Sequence, residues 1–132
     1  MTDKTVLVVE DDDLNMKLVR EVLRLGHYGI LEATDAGTGI QLARQHHPDL
    51  ILMDIHLPDM DGLSATRMIN ADQALRGIPV VALTALAMKG DREKALEAGC
   101  TDYVTKPFRI QDLLEILDRH LSQEPRMESQ SL

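Results

Sequence analysis

The chain repeats one pattern five times: a short, uniformly apolar run, then a stretch in which apolar residues return every three or four positions. The first run is TVLVVE, Thr5–Glu10. The stretch after it, LNMKLVREVLRLG, carries Leu14, Leu18, Val22 and Leu25 at the spacing of one helix face, with Gly26 as its stop. A weaker run over Tyr28–Ala33 leads into a helix over Gly37–His46 that would bury Ile40 and Ala43, with Pro48 just past its end. DLILMD, Asp49–Asp54, stays apolar until its final Asp and is followed by HLPDMDG and a helix over Leu63–Ala71. IPVVALTA predicts a strand over Val80–Thr84, and a helix over Lys89–Ala98 ends at Gly99. TDYVTK predicts the fifth strand, Asp102–Thr105, and a last helix over Ile110–Leu121 turns Leu113, Leu114 and Leu117 inward. The polar, aperiodic end, SQEPRMESQSL, reads as a disordered tail, so the expected division is a domain over residues 1–121 and a tail over 122–132.

Uniformly apolar strands separated by amphipathic helices predict an α/β fold, a (βα)5 parallel sheet covered on both faces. Right-handed crossovers bring the C-terminal ends of all the strands to one edge, where open sheets bind ligands. With 132 residues the chain suits one domain and is too short for a closed eight-unit barrel.

That edge collects an unusual set of side chains. The first strand ends in Glu10, Asp11 and Asp12, the third in Asp54 and the fourth in Thr84, and Lys106 follows the fifth. Taken singly, each has a plain structural reading. Asp12 or Asp13 can cap the helix that begins near Leu14, Thr84 can satisfy a turn, and a lysine is usually solvated. Together they are harder to dismiss, because carboxylates from two adjacent strand ends must protonate or share a cation. Oxygen donors alone favour Mg²⁺ or Mn²⁺, and one nearby imidazole, His56, is poor evidence for a transition metal. Such a site suits phosphoryl transfer: a cation and Lys106 neutralise charge, Thr84 donates a hydrogen bond, and Asp54, central and single, is the candidate nucleophile. Glu10 and Asp11 are then left for the metal.

Other classes fare worse. A formal charge of −8 disfavours nonspecific nucleic-acid binding, and three aromatic residues make no stacking platform for bases. One cysteine, Cys100, excludes an internal disulfide. No apolar stretch is long enough to span a membrane and the N-terminus lacks a secretion signal, so a cytoplasmic setting is expected. GDREK and GTGIQ lack the spacing of a nucleotide phosphate loop.

VLVVEDD, LILMDIHLPDMDG, PVVALTA and DYVTKPF together resemble the receiver domain of two-component response regulators, over about Lys4 to Leu121. The resemblance implies a flavodoxin-like strand order, 2-1-3-4-5, and Asp54 as the phosphoacceptor for a histidine kinase or histidine phosphotransfer protein, with Mg²⁺ required. It implies that Asp11 and Asp54 bind the metal directly, Glu10 mostly through water, and the His56 carbonyl as a third protein ligand. Thr84 matches the switch hydroxyl, Tyr103 the aromatic switch, and Lys106 the site lysine, with a cis Lys106–Pro107 bond. In the loop after the acceptor, Pro58 fixes φ and Gly62 is read as tolerating an unusual dihedral. Leu86, two residues past Thr84, departs by offering no charge where members tune phosphate lifetime.

Kinase docking is expected on the first helix near Asn15 and Leu18. Output to a downstream kinase or signalling protein is expected through the fourth helix, fifth strand and fifth helix, including Met88 and Arg92, with recruitment to a cell pole through such partners. A relay shuttle would use the same site. A hydrolase with an acid nucleophile is a further alternative, but DIH places His56 where such enzymes usually have a second carboxylate.

Overall fold

A computed structural model describes residues 4–85 and 90–121. Leu86, Met88 and Lys89, and the expected tail over 122–132, lie outside the described residues. The elements alternate strictly: β1 (Thr5–Val9), α1 (Asp13–Leu25), β2 (Gly29–Ala33), α2 (Ala36–His46), β3 (Leu50–Asp54), α3 (Gly62–Ala71), β4 (Val80–Thr84), α4 (Asp91–Glu97), β5 (Asp102–Thr105) and α5 (Ile110–Leu121). All strands pair in parallel in the order β2-β1-β3-β4-β5, as expected. The order reverses between β1 and β3, which places a crevice at their C-terminal ends.

Successive strand residues feed two separate cores, as the two-residue period of a strand requires. Val6, Val8, Leu50, Leu52, Val81 and Leu83 pack with α1 and α5. Leu7, Val9, Ile51, Met53, Val80 and Ala82 pack with α2, α3 and α4. The inner strands β1, β3 and β4 are buried on both faces, which explains why their sequences show no polar alternation, whereas the edge strand β2 is partly exposed.

The face assigned to the first helix needs correction. Val19, Val22 and Leu23 are fully buried and Met16 nearly so, whereas Leu14 is 75% and Leu25 59% exposed. Leu18 is half-buried against the first core. Two apolar stripes run along this helix and share Val22. Leu14 and Leu25 occupy its end turns, so the middle of the helix decides which stripe meets the sheet. The burial expected of Ile40 and Ala43 holds, as does that of Leu113 and Leu117, while Leu114 is only partly covered. No helix among the described residues is long and apolar enough to cross a membrane.

Candidate functional site

The helices that follow β1, β2 and β3 all start on an aspartate cap. Asp12 accepts from the Asn15 amide at 2.8 Å, Asp35 from the Thr38 amide at 2.7 Å, and Asp61 from the Leu63 amide at 2.9 Å. Each satisfies an amide that the helix leaves without a partner. The acidic run Glu10–Asp13 is therefore divided: Asp12 caps α1 and Asp13 is its first residue, while Glu10 and Asp11 stay with the strand end.

Glu10, Asp11 and Asp54 each bring a carboxylate oxygen within 4.8 Å of the others. Glu10 and Asp54 are buried, at 1% and 3% exposure, and Asp11 is exposed. Lys106 reaches both buried acids, with its Nζ 2.9 Å from Glu10 Oε1 and 3.2 Å from Asp54 Oδ1. Asp54 Oδ1 also accepts from the His56 amide at 3.1 Å, and Glu10 Oε2 from the Asp12 amide at 3.1 Å. Thr84 is buried at the end of β4, and its carbonyl accepts from the Lys106 amide at 2.7 Å, which fixes where the lysine starts. The Lys106–Pro107 peptide is cis.

The electrostatics follow from burying two acids beside one base. Burial pushes the Glu10 carboxyl up to about 7, against the opposing pull of Lys106, and the Asp54 carboxyl adds to the rise. Burial alone would lower the Lys106 ammonium, but its pairing with Glu10 and Asp54 wins and holds it above its ordinary range. Lys106 thus serves two buried carboxylates, with Asp11 a third acid in the same cluster. Glu10 Oε1 has Lys106 as an ion-pair partner yet no aligned hydrogen-bond donor, although it is fully buried. An under-satisfied buried oxygen within an all-oxygen donor set fits a hard divalent cation.

Residues 6–118 match the family model for the response regulator receiver domain. The chain belongs to that family. Among similar proteins, the polar-differentiation response regulator DivK of Brucella ovis is 44% identical over 118 residues, 89% of this chain and 96% of its own length. The receiver domain of a sensor histidine kinase from Pseudomonas aeruginosa PAO1 is 40% identical, with a TM-score of 0.83, covering 90% of this chain and 98% of that one. That structure has a magnesium ion coordinated in its active site cleft. The signal receiver domain of a signal transduction histidine kinase from Syntrophus aciditrophicus is 31% identical, with a TM-score of 0.83, covering 98% of each chain.

In this receiver the residues expected at the site are brought together to different degrees. Glu10, Asp11, Asp54 and Lys106 form one cluster. Thr84 and His56 touch the cluster through their backbones, and with half-buried Tyr103 they line a neighbouring cavity of about 200 Å³, together with Ile55, Leu63 and Lys94. Asn15 and Leu18 lie on α1, with Leu14 largely exposed beside them, and Arg92 is exposed on α4.

Gly62 plays a different part from the one expected. Its φ is not left-handed, unlike that of Gly90 and Gly99. A Cβ on Gly62 would run into the Asp54 carbonyl oxygen and lie 2.8 Å from Ile55 Cα. Glycine is needed there because α3 starts against the acceptor's own backbone, where the Gly62 amide donates to the Ile55 carbonyl at 2.8 Å. A further residue ties this region together: Asp59 accepts from two amides of α2. Nothing local in the sequence marks this role, because the two amides lie 23 and 22 residues earlier in the chain.

Proposed function

We propose that this receiver accepts a phosphoryl group on Asp54 from a phosphohistidine donor, with Mg²⁺, and that the modified state controls protein partners. The observation that carries this reading is the convergence of Glu10, Asp11, Asp54 and Lys106 on one strand edge. Lys106 and the His56 amide hold Asp54 Oδ1, so Oδ2 is the oxygen assigned to attack phosphorus. As the new O–P bond forms, the P–N bond to the donor imidazole breaks. The imidazole leaves with the electron pair and takes up a proton from solvent. Lys106 neutralises charge on the transferring group, and the Thr84 hydroxyl donates to one of its oxygens. Asp11, Asp54 and the His56 carbonyl would hold the cation, with Glu10 behind a water. When bound, Mg²⁺ supplies further charge neutralisation to the phosphoryl oxygens, and the same oxygen set would take Mn²⁺.

The histidine kinase or histidine phosphotransfer protein is assigned to α1 around Asn15 and Leu18. That helix starts at the acceptor edge and presents Leu14 beside it. The output surface is assigned to α4, β5 and α5, including Arg92. There the cavity beside Thr84 and Tyr103 gives a change at Asp54 room to reach the surface. Likeness to a polar-differentiation regulator supports an output through partners at a cell pole, from a cytoplasmic receiver.

Incubation with acetyl phosphate and Mg²⁺ tests the reading by intact mass. A labile gain of about 80 Da, the mass of one phosphoryl group, is expected for the wild type and not for Asp54→Asn. Equal labelling of the two proteins refutes it.

A further inference from the structure

The loop after the acceptor is tied down at a point that the phosphoryl chemistry does not use. Asp59, exposed at the tip of this loop, accepts from the Ala36 and Gly37 amides at 2.9 Å each, one to each carboxylate oxygen. These are the first two amides of α2, and Asp35 takes the third, that of Thr38. The start of this helix is therefore held by two carboxylates with different anchorage. Asp35 precedes α2 directly, while Asp59 arrives from the β3–α3 loop, 23 residues beyond Ala36. The bonds from Ala36 and Gly37 keep the Asp59 carboxyl below its ordinary range, so the clamp is charged at neutral pH.

Backbone bonds fix both ends of the loop, Ile55 N to Leu83 O at 3.1 Å and Gly62 N to Ile55 O at 2.8 Å. Between them, Leu57 and Met60 pack on the second core, and Asp59 supplies polar anchorage to a separate helix. His56 sits in this span, with its amide on Asp54 Oδ1. We propose that Asp59 is a positioning residue for the metal and acceptor site, its clamp on α2 fixing the loop segment that carries His56. The inference rests on the metal-dependent reading above, and it extends the site to a residue that touches none of the reacting groups.

The test compares Asp59→Ala with Asp35→Ala in the full chain. Each variant removes one carboxylate from the start of α2, so lost helix capping and the loss of one negative charge are common to both. Mg²⁺ affinity is read by calorimetry, and hydrogen exchange is read at the His56 amide without metal. Asp59→Ala should weaken Mg²⁺ binding about tenfold, the low end for residues that orient metal ligands, and speed exchange at His56. Asp35→Ala should lower the unfolding midpoint yet leave Mg²⁺ affinity within about twofold, below that same range. Asp59→Asn keeps one acceptor oxygen and should fall between, which covers the case of an alanine variant that folds poorly. Equal weakening by Asp35→Ala and Asp59→Ala would reduce Asp59 to a helix cap and overturn the proposal, as would wild-type affinity and exchange in Asp59→Ala. A wild type that binds no Mg²⁺ overturns the metal reading and this proposal with it, whereas binding that Asp59→Ala leaves unchanged overturns this proposal alone.

Discussion

Replacing Gly62 by alanine adds one carbon where the backbone after the acceptor has no room for it. The new Cβ would collide with the Asp54 carbonyl oxygen and stand 2.8 Å from Ile55 Cα and 2.9 Å from the Asp54 carbonyl carbon. All three atoms are backbone, so no side chain can rotate away. The start of α3 must move off the end of β3, and the 2.8 Å bond from the Gly62 amide to the Ile55 carbonyl lengthens with it. Overpacking costs about 1–3 kcal/mol, and a backbone contact belongs at the upper end. The helix gains up to about 1 kcal/mol from alanine in place of glycine. The net loss is about 2 kcal/mol. For a domain of this size that lowers Tm by about 8 °C, and it lowers the urea midpoint by about 1 M. Far-UV circular dichroism reads both, since the chain has no tryptophan. Gly77→Ala is the control, because a Cβ there meets nothing within 4 Å. If Gly62→Ala and Gly77→Ala unfold at the same urea concentration, the close-approach argument is wrong.

Two further outcomes are expected. Lys106→Met keeps the apolar stem but removes the ammonium that faces Glu10 and Asp54, so labelling by acetyl phosphate at fixed Mg²⁺ should slow about 100-fold, the usual loss for one charge-stabilising donor; a rate within about threefold of wild type would contradict the role given to Lys106. At the opposite end of the sheet, burial works to raise the Asp102 carboxyl, but bonds from His120 and the Tyr103 amide, with the Arg119 charge, hold it below its ordinary range. A carboxyl lowered by folding stabilises above its unfolded value and loses that contribution as pH falls through its folded one. Asp102→Asn should therefore be less stable than wild type at pH 7, by about 0.5 kcal/mol for a partly exposed pair, and the gap should close as pH drops below about 4. A gap that is constant from pH 7 to about pH 3 would show that Asp102 acts by packing rather than charge.

Much of the fold was legible because a strand buried on both faces leaves a plain mark, as in the apolar runs of β1, β3 and β4, each ending at a polar residue of the site. Those ends located Glu10, Asp54 and Thr84 in turn, and right-handed crossovers placed them on one edge. The phase of α1 was not legible. Its 14-18-22-25 and 16-19-22-23 stripes are both apolar, and only packing against the sheet and α5 selects the second. Gly62 misled for a related reason, since glycine serves a positive φ and a close approach equally well, and the approach involves a strand eight residues back. Asp59 escaped because its partners belong to a helix much earlier in the chain.

The helix caps also shape what can reach the acceptor. Asp12, Asp35 and Asp61, the clamp Asp59 and the cluster Glu10, Asp11 and Asp54 gather seven carboxylates on one rim of a chain whose formal charge is −8. To an approaching phosphate dianion this rim is a negative lens. It turns away free anions whose charge is not already compensated, and it favours a donor that arrives on a basic surface of its own. Salt at physiological strength, with a screening length of about 8 Å, weakens that lens, so the discrimination is greatest at low ionic strength. The residues that begin the helices therefore also bias which donor arrives, most strongly where salt is low.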